Sequence, residues 1–127
     1  MHGKRLLVID DEPGFAEFAR IVAIKLGYEV EVAIDGKAFK ERFESFRPDV
    51  ALVDIVMPDI DGVELVQWLA KRGAEGLRLI VVTGYSSDYA RHTKMLGEAM
   101  GLDPISVLTK PVAVATLRRT FEAGRAA

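Results

Sequence analysis

Short apolar runs recur along the chain, and each is followed by turn residues and then by apolar positions at helical spacing. The five runs lie at about 4–9, 28–32, 50–53, 77–82 and 105–109. The run at 50–53 is uninterrupted, which is typical of a strand buried on both faces of a parallel sheet. The run at 28–32 alternates apolar and charged residues instead, which predicts a half-buried strand near the sheet's edge.

The segments between these runs have the period of amphipathic helices. Pro13 favours a first helical turn, and Asp61 with Glu64 three residues later resembles a capping box. Helices are also predicted after the turn at 35–36, after Ser86 or Ser87, and after Pro111. In the last of them we expect Val114, Leu117 and Phe121 to face the core, and glycines 27, 73 and 101 should follow helix ends.

Strands that alternate with helices predict an α/β fold. Five of each give a (βα)5 pattern, a doubly wound five-stranded parallel sheet with helices on both faces. The expected strand order is 2-1-3-4-5, as in flavodoxin-like folds. No internal repeat or linker interrupts residues 1–127, which we therefore interpret as a single domain.

Composition excludes several classes of function. The net charge of −2 gives no general attraction to nucleic acid or to anionic lipid. The chain has no cysteine, so disulfides and thiolate sites are excluded, which is compatible with a reducing cytoplasm. No apolar run is long enough for a signal peptide or a membrane span. We therefore expect a cytoplasmic protein that binds neither nucleic acid nor membrane.

Side chains that could react or bind a ligand lie at the ends of four strands. They are Asp10, Asp11, Asp54, Thr83 and Lys110. Because parallel strands all point one way, these residues should gather at one edge of the sheet, where such folds bind ligands. The alternative is a purely structural role, in which Asp54 only ends its strand or caps a turn.

Carboxylates gathered in this way repel each other unless cations accompany them. Lys110 offsets one charge, and a hard divalent ion with oxygen ligands, Mg²⁺ above all, fits the rest. With a phosphoryl group present, Lys110 and Mg²⁺ can neutralise its oxygens and Thr83 can donate a hydrogen bond. Asp54 can then attack phosphorus and form an aspartyl phosphate.

The whole chain resembles the receiver domain of two-component response regulators. The resemblance is carried by Asp10-Asp11, by Asp54 with Met57-Pro58 and Asp61-Gly62, by Thr83-Gly84 and by Lys110-Pro111. It implies a signalling switch that modifies only itself, rather than an enzyme. The implied phosphoryl donor is the phosphohistidine of a histidine kinase or histidine phosphotransfer protein. The implied output is binding to an unidentified partner, without an output domain in this chain, by a monomer or weak homodimer.

The resemblance also implies roles for individual residues. Asp54 is the implied phosphoacceptor. The implied direct ligands of Mg²⁺ are Asp11, Asp54 and the backbone carbonyl of Val56, with Asp10 acting mainly through water. Thr83 and Lys110 would contact the phosphoryl group, and the peptide between Lys110 and Pro111 is expected to be cis.

Three features depart from the family pattern or distinguish this chain. The switch position on the fifth strand, usually aromatic, is Val107, and the segment from Thr83 to Lys110 is several residues longer than usual. The positions that flank the path of a hydrolytic water are Val56 and Tyr85. Since Val56 cannot orient water and Tyr85 is bulky, we expect a long-lived phosphorylated state.

Two other functions use a similar fold. A phosphohydrolase of the haloacid dehalogenase type also forms an aspartyl phosphate, but it needs a second aspartate two residues later, where this chain has Val56. A flavodoxin-like cofactor binder needs a phosphate-cradling loop after the first strand. The acids Asp10, Asp11 and Glu12 would repel a phosphate there.

Overall fold

The computed structural model contains five strands and five helices that alternate along the chain. It describes residues 4–57, 59–73, 76–84, 87–102 and 104–125. The strands are β1 (Arg5–Ile9), β2 (Glu29–Ala33), β3 (Val50–Asp54), β4 (Arg78–Thr83) and β5 (Ile105–Thr109). They form one sheet in the order β2-β1-β3-β4-β5, and all neighbouring strands are parallel. The predicted fold and strand order are confirmed.

The helices are α1 (Pro13–Lys25), α2 (Gly36–Phe46), α3 (Gly62–Lys71), α4 (Ser87–Ala99) and α5 (Val114–Arg125). Pro13 opens α1, where its missing N–H costs nothing. Asp61 caps α3, because its side chain accepts a hydrogen bond from the backbone N–H of Glu64 at 2.8 Å. Asp35 caps α2 in the same way, so the expected turn at 35–36 is in fact a helix start.

The helices cover both faces of the sheet. One core cluster joins the sheet to α2, α3 and α4 through side chains such as Phe39, Leu65 and Ala90. The other joins the opposite face to α1 and α5 through Ala19 and Phe121. All five side chains of β3 are buried, which explains its uninterrupted apolar sequence.

Two sequence expectations about the core differ from the structure. Tyr28 precedes β2 rather than opening it; its ring is buried, and its hydroxyl donates to the carbonyl of Phe121 at 2.7 Å. Val114 is 47% exposed, so its expected core position is wrong. It is the first residue of α5, and the helix begins to pack on the sheet only at Leu117.

The connections after β3 and β4 are only partly described. Pro58, Tyr85, Ser86 and Asp103 lie outside the described residues. Within the described ranges, no helix combines the length and apolar character needed to cross a membrane. The long segment between β4 and β5 contains the 13 residues of α4, followed by Gly101 with a φ of 96°.

Candidate functional site

The strand register brings the ends of β1, β3, β4 and β5 to one edge. Ile9 lies beside Val53, so Asp10 and Asp54 follow paired positions. Thr83 lies beside Thr109, and the backbone N–H of Lys110 donates to the carbonyl of Thr83 at 2.8 Å. The predicted edge site is therefore formed by residues distant in sequence.

Asp10 and Asp54 are both buried at this edge, with 2% and 7% of their surfaces exposed. Each carboxylate uses one oxygen to accept a backbone N–H two residues later. Asp10 Oδ1 accepts from Glu12 at 2.8 Å, and Asp54 Oδ1 accepts from Val56 at 2.9 Å. These bonds orient both side chains and leave each Oδ2 for a cation.

Lys110 is the cation that faces these oxygens. Its Nζ lies 3.0 Å from Asp10 Oδ2 and 3.5 Å from Asp54 Oδ2, and it also forms an ion pair with Glu12. The same Nζ lies 4.6 Å from the centroid of the Phe15 ring, a cation–π distance. The peptide between Lys110 and Pro111 is cis, as expected.

The electrostatics of the site reflect burial and this pairing. Burial acts to lower the pKa of Lys110, but hydrogen bonds to Glu12 and Asp10 raise it to about 12. The ammonium therefore stays charged at neutral pH. Burial raises the pKa of Asp10, as does the charge of Asp54, whereas the Glu12 N–H and Lys110 act to lower it. The pKa of Asp10 is raised on balance, so its charge is incompletely compensated.

A cluster of acids at this edge is suited to a hard cation. Oxygens of Asp10, Glu12 and Asp54 lie within 4.8 Å of one another. Asp10 Oδ2 is buried, and the cation that faces it is the Lys110 ammonium at 3.0 Å, which it shares with Glu12 and Asp54. Three carboxylates against one ammonium, with all ligands oxygen, fit a divalent ion such as Mg²⁺.

The structure does not bring every predicted site residue into this cluster. Asp11 is exposed and is outside the group formed by Asp10, Glu12 and Asp54. Thr83 is completely buried at the end of β4, beside the backbone of Lys110. Val56 is 39% exposed just after β3. Tyr85 lies outside the described residues.

Val107 occupies the strand position expected to carry an aromatic ring. It is partly buried and packs against the core cluster on the α4 side of the sheet. An aliphatic side chain there contributes packing and has no hydroxyl or ring to exchange between exposed and buried positions.

Glu12 is a site residue whose ion pair with Lys110 the sequence pattern does not predict. The pattern predicts only that the charge of Glu12 repels a phosphate after the first strand. Its ion pair joins residues 98 positions apart, so no local pattern predicts the contact. The one sequence feature that indicates a role in the site is the position of Glu12 directly after Asp10 and Asp11.

A family model for the response regulator receiver domain matches residues 6–122. Curated relatives include the response regulator MprA of Mycolicibacterium vanbaalenii, 35% identical over 91% of this chain and 51% of that protein. Another is the CAI-1 autoinducer sensor kinase/phosphatase CqsS of Vibrio cholerae, 32% identical over 84% of this chain and 15% of that protein. The chain thus spans about half the length of the regulator and much less of the kinase.

Solved structures are similar over nearly the whole chain. The chemotaxis response regulator CheY4 of Vibrio cholerae has a TM-score of 0.82 and 24% identity, covering 96% of this chain and 98% of that one. A CheY-like receiver domain from Methanospirillum hungatei has a TM-score of 0.79 and 28% identity, covering 97% of each. The chain belongs to the response regulator receiver domain family.

Proposed function

We propose that this chain is a phosphorylation-controlled switch whose phosphoacceptor is Asp54. The observation that carries the proposal is the position of Lys110, whose ammonium lies 3.5 Å from Asp54 Oδ2 at a buried edge. A phosphoryl group on Asp54 would bring oxygens toward that ammonium. An Asp that only capped a turn would not require a partly buried lysine from the end of another strand.

The reaction follows from the chemistry of the edge. An oxygen of Asp54 attacks the phosphorus of a phosphohistidine, and an O–P bond forms as the P–N bond breaks. The electron pair of the broken bond returns to the imidazole nitrogen, and the product is an aspartyl phosphate. Lys110 neutralises charge on the phosphoryl oxygens, and Thr83 donates a hydrogen bond to one of them.

Residues at the acidic edge would hold Mg²⁺. We assign Asp11, Asp54 and the carbonyl of Val56 as direct ligands, with Asp10 acting through water. When bound, Mg²⁺ neutralises negative charge on the carboxylates and on the transferred group. The incomplete compensation of Asp10 by the shared Lys110 supports this assignment, because a second cation would complete the neutralisation.

The physiological donor would be a histidine kinase or a histidine phosphotransfer protein in the cytoplasm. One relative of this chain is itself a sensor kinase/phosphatase, which supports a kinase-linked pathway. The switch would change only itself and would signal by binding an output partner, as a monomer or weak homodimer. A similar solved structure is a beryllofluoride-activated receiver domain dimer of NtrC4, which supports the homodimer as one of these two states.

Uptake of a phosphoryl group from acetyl phosphate tests the proposal. With Mg²⁺, intact-mass spectrometry should show one phosphoryl group on the wild type and none on Asp54→Asn. Asp88→Asn is the matched control, because Asp88 is an exposed acid of α4 outside the acidic cluster. This control should be labelled like the wild type. Full labelling of Asp54→Asn would contradict the proposal.

A further inference from the structure

Glu12 makes a contact that the proposed chemistry does not require. It is the residue that precedes α1, yet its side chain makes no capping hydrogen bond to that helix. Its carboxylate instead pairs with the Lys110 ammonium, although 64% of the side chain is exposed. Glutamate is not one of the preferred N-cap residues, and the attraction of the Lys110 ammonium accounts for the orientation of its carboxylate.

Phe15 supports Lys110 from another side. It lies three residues after Glu12, and its ring is 4.6 Å from the Lys110 Nζ. Both residues line an open cleft of about 750 Å³ beside the acidic edge, together with Lys110. The start of α1 therefore contacts the ammonium through one charged and one aromatic group.

Three carboxylates attract Lys110, and together they determine the position of its ammonium before phosphorylation. The ammonium is 3.5 Å from Asp54 Oδ2, farther than its 3.0 Å distance from Asp10 Oδ2. Glu12 and the Phe15 ring attract the ammonium toward the start of α1. A phosphoryl oxygen on Asp54 would have to compete with the Glu12 carboxylate for the same ammonium.

We propose that Glu12 is a positioning residue that holds Lys110 in a resting position and so slows acceptance of the phosphoryl group. This inference rests on the proposed role of Lys110 in contacting that group. Because the Glu12 carboxylate is exposed, its ion pair with Lys110 is weak enough to break each time a phosphoryl group is accepted. Exposed ion pairs of this kind change an equilibrium by about two- to fivefold.

The first measurement is the rate of phosphorylation by phosphoramidate in the presence of Mg²⁺. Glu12→Gln keeps the side chain's size and removes its charge, so it should react about two- to fivefold faster than the wild type. Glu17→Gln is the matched control. Glu17 is on α1 and pairs with Arg20 rather than with Lys110, so its loss should leave the rate unchanged.

The second measurement follows Lys110 itself by NMR. The ε-methylene protons of Lys110 should be shifted upfield by the Phe15 ring in the wild type and in Glu17→Gln. In Glu12→Gln the shift should decrease, because the ammonium leaves its resting position. A faster reaction without this change would mean that Glu12 acts through its charge alone, and the inference would be overturned. Equal melting temperatures would show that Glu12→Gln remains folded.

The outcomes separate the two proposals. If the wild type takes up no phosphoryl group, the proposed function fails. If the wild type is phosphorylated and Glu12→Gln reacts no faster, only the role of Glu12 is overturned.

Discussion

The partly buried Lys110 and the buried Asp10 form an ion pair between the ends of β5 and β1, with 3.0 Å between Nζ and Oδ2. Asp10 follows β1, next to the central strand β3, and burial raises its pKa. Lys110 is therefore a structural counter-ion as well as a candidate contact for the phosphoryl group. Its two roles can be separated, because the first operates in the absence of any phosphate.

Lys110→Met should destabilise the protein without Mg²⁺ by about 3 kcal/mol at pH 7, since it leaves buried carboxylates unpaired. The folded-state pKa of Asp10 is already raised above its ordinary value, and loss of Lys110 would raise it further. Stability linked to such a group is complete below the unfolded pKa and is lost as pH rises through the folded pKa. Urea unfolding should therefore show a smaller difference from the wild type near pH 4. A difference independent of pH would contradict this account.

Mg²⁺ should raise the melting temperature, because it binds the folded acidic edge and relieves repulsion. At about one hundred times its dissociation constant, the ion should stabilise the fold by about 2.7 kcal/mol. Asp11→Ala should abolish the response, which differential scanning calorimetry can measure. Glu41→Ala on α2 is a control outside the acidic cluster. An unchanged response in Asp11→Ala would place the ion elsewhere.

The aspartyl phosphate should be long-lived, because Val56 offers no group to orient an attacking water. After removal of the donor, Val56→Asn and Tyr85→Ala should lose phosphate faster than the wild type, as followed by intact mass. Val114→Asn makes the same substitution at a similarly exposed valine on α5 and should behave like the wild type. If both site variants lose phosphate at the wild-type rate, these side chains do not set the lifetime.

Gly62 packs against the residue that follows Asp54. A β-carbon at Gly62 would lie 2.8 Å from Cβ of Ile55, which is too close for a branched, buried side chain to accommodate. Gly62→Ala should cost about 1–3 kcal/mol of unfolding free energy in urea titrations. At Gly14 on α1 nothing lies within 4 Å, so Gly14→Ala should instead be neutral or stabilise by about 0.5–1 kcal/mol. Equal effects would contradict the packing argument.

Strand positions were predictable because burial on two faces requires continuous apolar sequence, as in β3. The grouping of the site residues was predictable from one further rule, that the carboxyl ends of parallel strands lie at the same edge of the sheet. Asp10, Asp54, Thr83 and Lys110 could be grouped in this way without knowledge of any contact.

The remaining features depend on side-chain geometry that sequence periodicity does not contain. The pairing of Lys110 with Glu12 depends on how a long side chain is shared among several acids. Val114 has helical spacing with Leu117, yet it is exposed because a helix packs on the sheet over only part of its length. Tyr28 continues the alternating pattern of β2, but it lies before the strand begins. Its ring is in the core, where its hydroxyl donates a hydrogen bond to the carbonyl of Phe121.

Chemical mapping of the phosphorylated residue tests the central claim most directly. Borohydride reduces an aspartyl phosphate to homoserine, which tandem mass spectrometry of peptides can locate. After treatment with acetyl phosphate and Mg²⁺, homoserine should be found at position 54 and at no other aspartate. Homoserine at another position, or stable phosphoryl incorporation without homoserine at 54, would contradict the assignment of Asp54 as the phosphoacceptor.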